Sequence, residues 1–186
     1  MTTTPTDHRA LAAHMMFGQR EIGRQEAAGP VDHWCPTGVP GYMQTEEYAT
    51  AVLRAEDTYT DDEAAQAVAD RMVRTSILRT ITEQPRRVLV TRAGIERPIL
   101  TSAAMSRQWA QLADLARLDH VDLRVLPPYV PVYPTGFQIL HGAPGGRVLV
   151  EGPTGGYTPP GEPAQVQGAY QSLFSALWKM SNPYPG

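Results

Sequence analysis

Apolar residues recur at helical spacing in five stretches of the chain and at strand-like density in four short ones. Leu11, Met15, Gly18 and Ile22 alternate at four and three residues, which predicts a first helix from an Asp7 cap to about Ala28, stopped by Gly29-Pro30. Pro40-Gly41 is a turn signal. Thr45 follows as the N-cap of a second helix running toward Ala55, with Glu46 and Glu47 in the first turn, where the helix dipole favours negative charge. Thr60-Asp61-Asp62-Glu63 has the form of a capping box and opens a third helix to about Thr82. Its predicted apolar side is Ala65, Val68, Ala69 and Met72, continuing through Ser76 toward Leu78 or Ile81, with Arg71 and Arg74 on a neighbouring stripe. A fourth helix from Thr101 presents Met105, Trp109, Leu112 and Leu115 or Ala116, and ends before Asp119-His120. The last starts at Glu162-Pro163, shows Val166, Tyr170, Leu173, Leu177 and Met180 on one face, and stops at Asn182-Pro183.

The strand-like runs are Arg87 to Thr91, Val121 to Leu126, Gly136 to His141 and Arg147 to Glu151. Gly142 to Gly146 has the composition of a hairpin connection, and Gly152 to Gly156 that of a turn. Most of the 17 prolines fall at Pro127 or later. Because proline removes a ladder donor, Pro127 to Pro134 is expected to be an irregular wall beside the sheet. Helices first and strands late predict one α+β domain over residues 1–186: N-terminal helices, a small, mainly antiparallel sheet and a C-terminal helix, with a flexible start at residues 1–6.

Composition narrows the function. A length of 186 residues suffices for one hydrophobic core, and a formal charge of −3 lacks the basic footprint of a nucleic-acid binder. One cysteine, Cys35, excludes an internal disulfide and suits a reducing cytoplasm. No apolar run approaches membrane-spanning length, so the expectation is a soluble, cytoplasmic protein without membrane contact. The five histidines lack metal-ligand spacing, and the phosphate-loop, dinucleotide and nucleophile-elbow motifs are absent; no cofactor and no metal is expected.

Val39-Pro40-Gly41-Tyr42-Met43-Gln44-Thr45-Glu46-Glu47-Tyr48-Ala49 resembles the signature V-P-G-L-L-Q-T-x-x-Y-A of the domain of unknown function that follows the DNA-binding helix-turn-helix in actinobacterial Xre-type regulators. Glu26-Ala27, Ala69-Asp70-Arg71-Met72-Val73-Arg74, Met105-Ser106-Arg107-Gln108-Trp109, Val125-Leu126-Pro127, Gly136-Phe137-Gln138-Ile139-Leu140 and Val148-Leu149-Val150-Glu151 resemble further segments of that domain in order, over roughly residues 20–180. Two positions depart from the pattern: Thr75 stands where the family usually has Gln, and Arg92 lies in a segment where it usually has an acidic residue. The matching region begins about twenty residues from Met1, so the resemblance implies a ligand-sensing domain standing without its helix-turn-helix.

The candidate site residues each have a structural alternative. Gln44 and Tyr48 are pocket candidates, or else a turn bond and a packed ring. Arg71 and Arg74 have the donor forks to clamp an anion, or to form ion pairs. His33, Trp34 and Cys35 are read as one loop, with His33 as acid/base, Trp34 as a stacking surface and Cys35 as a packed or reactive thiol. Glu151 and Glu26 are candidate acid/base carboxylates, or solvated ends. Gln108 and Phe137 complete the substrate-binding candidates, with Trp109, Tyr129 and Tyr133 as further aromatic groups.

The leading expectation is a small-molecule-binding domain for a polar or aromatic metabolite, its pocket between the helices and the late sheet. The alternatives are a cofactor-independent acid/base enzyme of specialised metabolism using His33 or Glu151, and an antitoxin-like interaction module; a homodimer or protein partner is compatible with each.

Overall fold

The computed structural model describes residues 20–55, 59–130, 134–142, 147–152 and 155–185. The expected start of the first helix, the residue 1–6 tail, Tyr133 and the centre of the Gly142 to Gly146 connection lie outside them. Helix α1 occupies residues 20–27 of the described chain. It is followed by β1 (Val31–Cys35), a 3-10 turn (Gly41–Met43), α2 (Glu46–Ala55), α3 (Asp61–Thr80), β2 (Arg86–Thr91), α4 (Arg92–Glu96), α5 (Ser102–Leu115) and β3 (Val121–Leu126). Then come β4 (Phe137–Leu140), β5 (Arg147–Gly152), β6 (Gly155–Tyr157), α6 (Pro163–Lys179) and β7 (Asn182–Pro183).

The local signals at the helix starts take their expected form. Thr45 Oγ1 accepts the backbone N–H of Tyr48, and Thr60 and Glu63 form the reciprocal capping box. Glu162 accepts from Ala164 N with Pro163 at the first helical position. The strands form one sheet in the order β6-β5-β4-β1-β2-β3-β7. Its centre, β1-β2-β3, is parallel, while β4, β5, β6 and β7 join antiparallel. The domain is therefore α+β with a mixed sheet and a C-terminal helix. Gly155 and Gly156, read from composition as part of a turn, form with Tyr157 an edge strand that pairs with β5.

The main departure is β1. Val31-Asp32-His33-Trp34-Cys35 is not a loop but a central strand, buried at all five positions. Burial on both faces erases the alternation that marks a one-sided strand, and the polar Asp32 and His33 interrupt the apolar run that marks a two-sided one. Asp32 is satisfied from the neighbouring strands: Arg87 donates to both carboxylate oxygens at 2.6 Å, and His141 Nε2 lies 3.0 Å from Oδ2.

Two cores result. On one face of the sheet, Cys35, Val88, Val90, Leu123 and Val125 pack with Tyr42, Met43, Tyr48 and the α5 residues Met105, Leu112 and Leu115. On the other, Trp34, Leu89, Leu126, Phe137, Ile139 and Val150 meet Phe174 and Leu177 of α6, with Val166, Tyr170, Leu173 and Trp178 beside them. Met180, assigned to that helical face by spacing, is exposed. Trp109 is also at the margin, 36 % exposed, with its indole N–H donated to Ile95 O.

Helix α3 is rotated from its expected apolar side. Ala64, Ala67, Val68 and Leu78 are buried together with Arg74 and Thr75, whereas Ala65 and Ala69 face out. The reason is an ion pair: Arg74 Nε and Nη2 donate to Glu26 Oε2 and Oε1 at 2.9 and 2.6 Å, with both side chains about 95 % buried. Arg86 tightens the same corner by donating to Gly29 O at 2.8 Å and to Glu26 O, the carbonyls at the end of α1. Removing one partner of such a pair leaves an uncompensated buried charge. Glu26→Gln is expected to destabilise the fold by about 3 kcal/mol in urea denaturation, and Glu26→Leu combined with Arg74→Met to recover most of that loss.

Candidate functional site

Strand alternation distributes the chemistry of β1. Asp32 and Trp34 point to the α6 side, and Val31, His33 and Cys35 to the α2–α3 side. His33 is directly opposite Gln138 of β4, Gln138 is opposite Leu149 of β5, and Glu151 N donates to Gly136 O at 2.8 Å. These pairings bring His33, Gln138 and Glu151 to one face. Above it opens a cavity of about 570 Å³, walled by the Cys35 to Gln44 segment, by Tyr48 and Val52 of α2, by Arg71 and Arg74 of α3, and by Arg97, Pro134 and Thr135.

His33 lies under the floor of the cavity, 1 % exposed. Its Nδ1 is 2.9 Å from Tyr42 Oη and its Nε2 3.1 Å from Glu151 Oε1. Burial, reinforced by the charge of Glu26, raises the Tyr42 phenol well above its ordinary pKa and keeps it protonated. Tyr42 can thus donate to Nδ1, which leaves the Nε2–H to face the carboxylate. Glu151 is half-exposed to the cavity. The side chain of Glu151 fits because residue 136 is glycine: a Cβ there would overlap Oε2 and crowd Trp34 O. Cys35 Sγ sits 3.6 Å from Gly38 O. Its donor atom, with those of His33 and Glu151, forms a group lying within 4.8 Å of one another, the set among the described residues with metal-ligating spacing. Spacing along the chain conceals this set, since His33 and Glu151 are 118 positions apart.

The other candidates separate by geometry. Gln44 donates Nε2 to Val39 O at 2.8 Å and accepts Arg71 Nη1 at 2.7 Å, so it both holds the turn and aims Arg71 along the cavity wall. Tyr48 lines the wall next to Gly38. Arg74 reaches the wall but is engaged with Glu26, and lies 5.5 Å over the Tyr42 ring; Glu26 is correspondingly a structural partner. Gln108 is outside the cavity lining: its Oε1 accepts Thr45 N at 2.8 Å and its Nε2 donates to Met43 O at 2.9 Å, clamping the Pro-Gly turn to α5. Trp34 and Phe137 are fully buried in the α6 core, on the other face of the sheet from the cavity. Tyr129 is a surface residue, 83 % exposed.

Sequence reasoning did not single out Tyr42, Arg97, Gly136 or Gln138. Tyr42 stood inside the Pro-Gly motif, and Gln138 was a polar residue in an apolar run. Gln138 is only 5 % exposed, lines the cavity, and its Oε1 has no hydrogen-bond partner among the described residues.

The fold and site together define an α+β domain whose helices roof a polar cavity on one sheet face. The chain belongs to the family described as domain of unknown function DUF5753, whose model matches residues 20–183. No curated protein matches it. Among the described residues, no helix is long and apolar enough to cross a membrane.

Three outcomes test this geometry. Gly136→Ala is expected to displace Glu151, shifting the Nε2 resonance of His33 in side-chain nitrogen NMR while leaving Nδ1 bound to Tyr42. Desolvation, followed by the charge of Glu151, raises the Cys35 thiol well above its ordinary 9.0. At pH 8 its alkylation by iodoacetamide is expected to be at least about tenfold slower than that of an unfolded-chain thiol. A folded-state pKa above the unfolded value means that the unfolded chain releases its proton first, so this contribution to stability is complete below pH 9 and declines as pH rises beyond it. Urea denaturation from pH 8 to pH 10.5 measures that decline, which Cys35→Ala is expected to reduce.

Proposed function

We propose that this domain binds a small polar metabolite in the cavity before Glu151. Arg71 and Arg97 meet an anionic group of the ligand, while Glu151 and Gln138 accept hydrogen bonds from its donors. The observation that carries this reading is Gln138, a residue of the cavity lining whose buried Oε1 has no hydrogen-bond partner among the described residues. A desolvated acceptor left unsatisfied costs about 1–3 kcal/mol, which a ligand donor offsets. The resemblance to the sensing half of actinobacterial Xre-type regulators supports the same reading, and a lone buried thiol suits a reducing cytoplasm.

A second reading, a cofactor-independent acid/base enzyme, is favoured by the chain Tyr42–His33–Glu151. Here Glu151 is the group that meets substrate, taking or returning a proton, and His33 is a positioning residue because it is sealed beneath the floor.

Native mass spectrometry of the purified protein, with a thermal-shift screen of carboxylate- and phosphate-bearing metabolites, tests binding. Arg71→Ala and Gln138→Leu are each expected to weaken a hit by about tenfold or more, in line with the loss of a buried or charge-assisted hydrogen bond. A screen without a saturable hit would overturn the binding reading. Turnover of a bound compound that Glu151→Gln abolishes would favour the enzyme.

A further inference from the structure

We propose that His33, Cys35 and Glu151 form a mononuclear site for a divalent transition metal of the zinc type, with its remaining coordination position open to the cavity. The three ligand atoms already lie within 4.8 Å of one another, and Nε2 to Oε1 is 3.1 Å. A tetrahedral zinc ion with ordinary N, O and S bonds spaces its donors by roughly 3.3–3.6 Å, so they stand within about 1.5 Å of ligating separation. Imidazole, thiolate and carboxylate together select zinc or cobalt over calcium or magnesium, which prefer all-oxygen shells.

The surroundings have the features of a metal centre. His33 and Cys35 project from the same face of a fully buried central strand, two residues apart, so their backbone positions are rigid. The bond from Nδ1 to Tyr42 Oη holds the imidazole with Nε2 toward the other two donors, the arrangement by which an outer partner orients a metal-bound histidine. Gly136 leaves room for the carboxylate. Cys35 and Glu151 line the cavity, which places the open position where a water or a donor atom of a bound molecule would complete the shell. Binding forms a metal–sulfur bond and releases the thiol proton to solvent. The imidazole proton then sits on Nδ1, facing Tyr42 Oη, because Nε2 gives its lone pair to the metal. One thiolate and one carboxylate balance the dication, so the centre carries no net charge against its buried floor.

Only the identity of the fourth donor rests on the ligand-binding reading; the metal site itself stands independently of it. The test uses the full chain, stripped with a chelator and titrated with cobalt(II) alone. The chain has one cysteine, so a near-ultraviolet thiolate-to-cobalt charge-transfer band reports Cys35 and nothing else. The expected result is that band with visible bands of tetrahedral intensity, saturating at about one metal per chain and erased by zinc. Cys35→Ser is expected to abolish the charge-transfer band. Glu151→Gln and Tyr42→Phe are expected to retain the band and weaken binding by about tenfold or more. Saturation of the wild type without the charge-transfer band, or no cobalt binding at all, overturns the site, and that wild-type spectrum decides even where a variant fails to fold. A cobalt band together with an empty metabolite screen would keep the metal site and remove the organic-ligand reading.

Discussion

Burial of β1 on both faces is the constraint from which the rest of the structure follows. Every side chain from Val31 to Cys35 is withdrawn from water, so each polar group on the strand requires a partner supplied by another element. Asp32 takes Arg87 and His141 on the α6 side, and His33 takes Tyr42 and Glu151 on the other. Those demands tie together β2, β4, β5 and the 3-10 turn. Arg87 also spreads over Phe174 and Trp178, at 5.3 and 5.6 Å, so the ion pair beneath α6 doubles as part of its packing surface.

The Pro-Gly segment is the second organising element, and it works mainly through amide side chains. Gln108 satisfies Thr45 N and Met43 O from α5, with Gln111 donating to the same Met43 carbonyl, and Gln44 satisfies Val39 O from within the segment. A tight turn between a buried strand and a helix leaves backbone groups that no ladder can pair, and these amides supply the missing bonds. The turn is thereby held firmly enough to place Tyr42 on His33 and Gln44 on Arg71. Structure and site share one set of interactions here, which is why residues named as possible ligand contacts divide into those that build the cavity and those that face it.

Much of the fold was legible because it rests on local physics. Caps, turn residues and helical spacing are properties of a few adjacent positions, and Thr45, Thr60, Glu162 and Pro163 behave as those rules require. The late strands were visible as compact apolar runs, and the C-terminal helix as a stripe. What escaped were elements whose environment contradicts their local pattern: a central strand carrying Asp and His, and a helix whose buried side carries Arg74. A buried charge with its partner 48 residues away looks like a solvated one until the partner is located.

The same division holds at the site. His33 and Glu151 are chemically capable by residue type, but that their side chains meet is a consequence of β1 pairing with β4 and β4 with β5. Trp34 and Phe137 are as suitable in type as any aromatic pocket residue, yet strand alternation turns them to the opposite face. The sequence by itself determined the α+β class, the starts of α2, α3, α5 and α6 and a set of residue types able to bind or transfer protons, since these follow from local propensity and side-chain chemistry; the short α4 was not among the elements its periodicity predicts. The tertiary structure alone decided which faces those residues share, that Tyr42, His33, Cys35 and Glu151 converge, and that Gln138 opens onto a cavity, since strand register and burial depend on contacts between positions far apart in the chain.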